Sequence, residues 1–144
     1  MVSNEEISVN KRNGRGKESL QIDKIHAMVG FATEGITGVS ASHVEMNSGI
    51  QLFDGISTAD IQQILIKSAN DLITLESPNY QYVAARLLLF SLRKQLFHRL
   101  WDHPKLIDHI KKLIDMGLYD KDILVNYDES EIDRMDMWID HERD

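Results

Sequence analysis

The 144-residue chain contains no cysteine. That excludes a disulfide scaffold, a thiolate zinc site, an iron–sulfur cluster and any thiol nucleophile. Long hydrophobic runs are also missing. The longest strongly apolar stretch, Leu87-Leu88-Leu89-Phe90, falls far short of the roughly 20 residues of a membrane helix. Glu5 and Glu6 stand where a signal peptide would be basic. A soluble, cytoplasmic protein with no membrane partner is expected. Excess positive charge is absent too, since 16 Lys and Arg face 23 Asp and Glu for a net charge of −7. Residues 1–119 carry 13 acids and 13 bases, whereas residues 120–144 carry 10 acids and 3 bases, and 10 − 3 = 7. No general basic face exists, so a nucleic-acid partner is not expected. The late acids lack the glycine of a calcium loop. They read first as a solvated helix face and second as a surface for a basic partner. No nucleophile-elbow, P-loop or dinucleotide fingerprint occurs. Six histidines show no pair four apart on a helix, so no metal site is expected. An apolar fraction of 42% suffices for about one packed domain.

What is present has a clear order. Ile7 and Val9 alternate with polar neighbours, as do Leu20 and Ile22, with Asn13-Gly14 between them. That predicts a hairpin, because both turn residues tolerate positive φ. From Ile22 the period changes to about 3.6. Ile22, Ile25, Met28, Val29 and Ala32 form one helical face, stopped at Gly35. A short helix is predicted at Ser42 to Asn47, capped by Ser40 or Ser42, then a short strand at Ile50, Leu52 and Phe53 closed by Asp54-Gly55. Ser57 and Thr58 open a helix with Asp60 three residues on, near a capping box, burying Ile61, Ile64, Leu65, Ala69 and Leu72. Pro78 sits at the first position of a long helix that runs to about Phe97, apolar on more than one side and so central to a bundle. Asp102 and Pro104 begin a fifth helix with a stripe of Leu106, Ile107, Ile110, Leu113 and Ile114, ended by Gly117. Asp128 to Glu131 resembles a cap, followed by a stripe of Ile132, Met135, Trp138 and Ile139.

The densest chemistry lies in the hairpin. Lys11, Arg12, Arg15 and Lys17 place four cations within seven residues, on a loop with two glycines. Clustered cations beside open backbone N–H groups suit a triphosphate. The same cluster also suits an ordinary solvated turn. The start of the Ser57/Thr58 helix favours an anion through its N–H groups and dipole, as every helix start does. Lys94 is a further candidate cation, and it equally suits the negative end of its helix.

Several segments together resemble one family. They are Val9-Asn10-Lys11-Arg12-Asn13-Gly14, Ile22-Asp23-Lys24-Ile25-His26, the stretch from Phe53 to Ile61, and the stretch from Ser77 to Leu87. Leu92-Arg93-Lys94, Met116 to Asp120 and Asp140 to Asp144 complete the set. The chain resembles the N-terminal region of the class Ia ribonucleoside-diphosphate reductase large (alpha) subunit. That resemblance implies a mainly α fold: an ATP-cone helical bundle capped by a β-hairpin or small three-stranded sheet. The implied layout is a tail at 1–6, a cone at 7–99 and a helical segment at 100–144 leading toward a catalytic barrel. It implies ATP or dATP as allosteric effector, with Mg²⁺. Lys11 and Arg12 would hold phosphates. Glu18, Ser19, Leu20, Gln21, Ile22, Asp23 and Lys24 would line base and ribose, Glu18 and Gln21 nearest the adenine. Thr58 would meet the nucleotide at its helix start, Gln62 would stand beside the ribose, and Lys94 would reach the phosphates.

Two residues depart from the family pattern: Gln21 stands where Asn is common and Gln62 where His is often found. The hairpin also has one extra residue near Gly16. These changes bear on whether dATP inhibits. The family's chemistry needs cysteines on a barrel, and this chain has none. The expectation is therefore a regulatory rather than a catalytic piece. The implied partners are the radical-generating beta subunit and, if separately encoded, the rest of alpha. The alternatives are one part of a split reductase that docks on a separate barrel chain, or an interaction module or remnant that has lost nucleotide affinity.

Overall fold

Alternation around Val9 sets up the first element. A computed structural model describes residues 8–11, 16–19, 21–49, 55–98 and 103–141. Strand β1 (Ser8–Asn10) pairs antiparallel with β2 (Lys17–Ser19), Val9 opposite Glu18 and Asn10 opposite Lys17. Lys11 N–H donates to the Gly16 carbonyl at 3.0 Å and closes the hairpin. The expected turn residues Asn13 and Gly14 lie outside the described residues, as do Ile7 and Leu20. Strand β3 (Ile56–Ser57) joins on the other side of β1, parallel to it, giving the order β2-β1-β3. The strand expected at Ile50 to Phe53 lies outside the described residues.

Contacts divide the chain into two compact units, 1–92 and 93–144, with the division inside the longest helix. In the first unit, α1 (Ile22–Thr33) buries Ile25, Val29 and Ala32 and passes Gly35 at φ +70 after its end. Ile22 departs from the expected face: it begins the helix and stays half exposed, because the first turn projects past the core. Helix α2 (Ala41–Ser48) follows Ser40 and ends at Gly49 in the left-handed region. Helix α3 (Thr58–Asp71) is capped by Ser57, whose Oγ accepts from Asp60 N–H at 3.0 Å, and buries Ile61, Leu65 and Ala69.

Helix α4 spans Tyr80–Phe97. Pro78 is not its first residue. Gln81 and Tyr82 N–H groups bond to the Pro78 and Asn79 carbonyls three residues back, so a tight turn precedes the helix. Tyr80 anchors this turn, its hydroxyl accepting from Ser40 N–H at 3.1 Å and lying 3.2 Å from His43 Nδ1. Val83, Leu87 and Phe90 are buried, but Leu88, Leu92 and Leu96 are about half exposed. The second apolar side of α4 is thus not a core side. Side-chain hydrogen bonds tie the helices together, that of the buried Ser68 among them, as burial demands. Ser68 Oγ donates to the Val44 carbonyl, Asn47 Nδ2 to the Ser68 carbonyl at 3.1 Å, and Arg86 Nη1 to the Glu34 carbonyl just past α1 at 2.6 Å.

The second unit holds α5 (Leu106–Asp115), the single turn α6 (Ile123–Asn126) and α7 (Glu129–Asp136). Its core is Ile107, Ile110 and Ile132, flanked by Leu106, Ile114, Ile123 and Leu124. Helix α5 starts two residues after Pro104, whereas Asp102 lies outside the described residues. Gly117 at φ +71 ends it: Gly117 N–H donates to the Ile114 carbonyl and Leu118 N–H to the Leu113 carbonyl, each at 2.9 Å. That is a Schellman closure. Asp128 and Glu131 form a reciprocal capping box. The stripe beyond Met135 does not continue, since α7 stops at Asp136 and leaves Trp138 80% exposed. No described helix is long and apolar enough to cross a membrane.

Candidate functional site

The strand register builds a charged corner at one end of the sheet. Residues directly opposite in an antiparallel pair share a face, and so do residues two apart along a strand. Val9, Glu18 and Lys11 therefore lie on one face. Val9 and its parallel neighbour Ile56 are buried there against the helices. Parallel pairing of Asn10 with Ser57 brings the next residues, Lys11 and Thr58, out at the same end. Lys11 leaves β1 as Thr58 opens α3. The first amides of α3 add a partial positive charge at that end.

Two contacts fix this geometry. Asn10 Nδ2 donates to the Gly55 carbonyl at 2.7 Å. Gly55 N–H donates to the Ser8 carbonyl at 2.9 Å. Gly55 has φ +86, which glycine adopts without a Cβ penalty. The turn before α3 is thus clamped to β1 from both sides.

Glu18 is the centre of the cluster. Its Oε2 pairs with Lys11 Nζ and its Oε1 with Lys24 Nζ at 3.0 Å. One carboxylate spans two ammonium groups from two elements, the end of β1 and the first turn of α1. The Lys11 hydrogen bond, followed by that of Lys24, holds the Glu18 carboxyl below its usual range. The side chains stay open to solvent, at 45% for Lys11, 66% for Lys24 and 29% for Glu18. An arriving anion can reach both cations.

The other expected site residues take varied places. Ser19 ends β2, Gln21 precedes α1, and Ile22 and Asp23 open that helix, all exposed. The Gln21 carbonyl accepts from Lys24 N–H at 3.0 Å and so sets the start of the turn that carries Lys24. Thr58 is the first residue of α3. Gln62 is buried, and its Nε2 donates to the Leu87 carbonyl at 2.9 Å, tying α3 to α4. Lys94 is half-buried in the last turn of α4, in the second unit. Arg12 and Leu20 lie outside the described residues. The structure therefore brings together Lys11, Glu18 and Lys24, with Thr58 at the same sheet end. Sequence reasoning missed the Asn10–Gly55 clamp. The only signal for it was a polar side chain on the short first strand facing a turn glycine far along the chain.

A model of the ATP cone domain matches residues 7–95. The chain belongs to the ATP-cone family. Over 141 residues, 98% of this chain, it is 46% identical to ribonucleoside-diphosphate reductase 1 subunit alpha of Escherichia coli K12. It is 48% identical over the same span to the subunit alpha of Haemophilus influenzae, and 40% over 138 residues to that of phage T4. The match covers only 18% of each of these relatives, at their N-terminal region. Within the cone, the sheet, α1 and the start of α3 supply the charged corner.

Proposed function

We propose that this cone binds ATP or dATP as an allosteric effector and serves as the regulatory region of a ribonucleoside-diphosphate reductase alpha subunit. The observation that carries the reading is the Lys11–Glu18–Lys24 bridge at the sheet end where α3 begins. Two ammonium groups already close enough to share one anion are spaced to share a phosphate. Lys11 and Arg12 would hold the triphosphate, with Thr58 and the first amides of α3; Lys24, expected along the base and ribose, would join them because it shares the Glu18 carboxylate with Lys11. Glu18, Ser19, Leu20, Gln21, Ile22 and Asp23 would line the base and ribose. Gln62 would act on the site indirectly, through its hydrogen bond from α3 to α4. Mg²⁺ would be held mainly by phosphate oxygens, as it is in most triphosphate sites.

The proposed consequence is a change in subunit assembly. Nucleotide in the cone alters the surface offered to other alpha subunits and to the radical-generating beta subunit. The activity so regulated is the making of deoxyribonucleotides, in the cytoplasm. Calorimetric titration of the folded chain with ATP and dATP tests the reading. Saturable heat with at least one of them is expected, and no heat with either would overturn it.

A further inference from the structure

We infer that Glu18 is a built-in placeholder anion: its carboxylate engages the two lysines that would bind phosphate, and it must be displaced before a triphosphate can take them. This deepens the nucleotide reading above and rests on it. The placement carries the inference. Glu18 lies on β2 directly opposite Val9, whose face is buried, so its side chain emerges at the rim of the helix-covered face. From there it meets Lys11 at the end of β1 and Lys24 in α1 with separate oxygens. A phosphate group would bridge the same pair in the same way, with one oxygen to each ammonium. Without such a partner, Lys11 and Lys24 would face each other as like charges.

Displacement has a chemical consequence. A phosphate that takes the two lysines leaves Glu18 without its cations. The loss is compensated only if the ligand brings its own hydrogen-bond donor to the carboxylate. Inorganic tripolyphosphate brings none, whereas an adenine amino group is such a donor. The placeholder would thus make the cone prefer a base-bearing triphosphate to a bare one. Selectivity would come from a penalty on the wrong ligand as well as from contacts to the right one.

Titrations of the whole chain and of Glu18→Gln with inorganic tripolyphosphate and with ATP test this. Glutamine keeps the size and exposure of the side chain and removes its charge. The variant is expected to bind tripolyphosphate roughly three- to tenfold more tightly than the parent, the scale of two exposed ion pairs. Its preference for ATP over tripolyphosphate should shrink. In the parent, the Glu18 carboxyl carbon resonance should move as tripolyphosphate is added, a readout that needs no variant. Unchanged or weaker tripolyphosphate binding by Glu18→Gln, or a resonance that stays still as the parent saturates, overturns the placeholder while ATP binding stands. Tighter tripolyphosphate binding with no ATP heat overturns the nucleotide reading and leaves the placeholder. Binding of neither ligand by either protein overturns both.

Discussion

The side-chain amide of Asn10 reaches 45 residues along the chain to the Gly55 carbonyl, at 2.7 Å, and so couples the first strand to the turn that launches α3. The contact sets which end of α3 stands beside Lys11. Asn10→Ala removes a part-buried hydrogen bond and leaves the carbonyl without that donor. A loss of about 1 kcal/mol is expected, read as a lower urea midpoint with an unchanged slope. ATP affinity should fall in the same variant, since α3 and Lys11 would no longer be held in register. An unchanged midpoint and affinity would show that the clamp is incidental.

Gly55 makes a separate demand. At φ +86 an added Cβ would meet Asn10 Nδ2 only at 3.7 Å, an ordinary contact, so space is not the constraint. The backbone conformation is. Gly55→Ala should cost about 1–2 kcal/mol through the left-handed dihedral alone. Thermal unfolding of the variant would measure it, and a stability equal to the parent's would mean that the turn relaxes to another conformation.

These two residues mark the limit of what the sequence disclosed. Elements with a long, strong period were plain in advance: α1, α3, α4 and α5, together with the Ser57 and Asp128 caps and the Gly35 and Gly117 stops. Local chemistry dictates those features. Helix starts after Pro78 and Pro104 were misplaced by two residues, because a proline near a helix start fits the turn before it as well as the first helical position. Strand β3 is two residues long. Its pairing with β1 is non-local, so no nearby pattern announced it. The apolar look of α4 on Leu88, Leu92 and Leu96 resembled a core stripe, since hydropathy alone does not tell an uncovered face from a covered one. At the site, the cationic hairpin was evident. The engagement of Lys11 and of Lys24 from α1 by Glu18 depends on strand register and a helix turn meeting in space. Gln62 was expected beside a ribose, and its amide nitrogen is instead used by the α4 backbone.

The pH dependence of stability follows from Glu18. Lys11 and Lys24 lower its carboxyl pKa in the folded chain from the ordinary value of 4.5. The unfolded chain therefore binds the proton more readily. Glu18 contributes its full stabilisation above the ordinary value and loses it as pH falls through the lowered folded value. Denaturant midpoints measured from pH 6 down to pH 3 should drop less steeply for Glu18→Gln than for the parent. Parallel curves would mean that the bridge adds nothing to folding.

Gln62 offers a test that separates scaffold from ligand contact. Gln62→Leu keeps apolar bulk at a position only 4% exposed but deletes the donor to Leu87. The backbone carbonyl of Leu87 can still serve the α4 ladder, so the cost should sit near the low end, about 1 kcal/mol. ATP affinity should change by less than about threefold, which is under 1 kcal/mol. A large loss of affinity at unchanged stability would instead place Gln62 against the nucleotide.

The second unit should fail independently of the cone. Its core consists of Ile107, Ile110 and Ile132 with four partly buried neighbours, and Ile132 is the most enclosed at 1% exposure. Ile132→Ala removes three carbons from the contact between α5 and α7. Substitutions of this kind cost about 2–5 kcal/mol in well-packed cores, while a core this small supplies only about 3–5 kcal/mol in total. The variant should therefore open the α5–α7 unit under native conditions without unfolding α3. Hydrogen exchange reads this directly: amides of 106–115 and 129–136 should lose protection while those of 61–69 keep theirs. Equal loss across both sets would show that the two units unfold as one cooperative body.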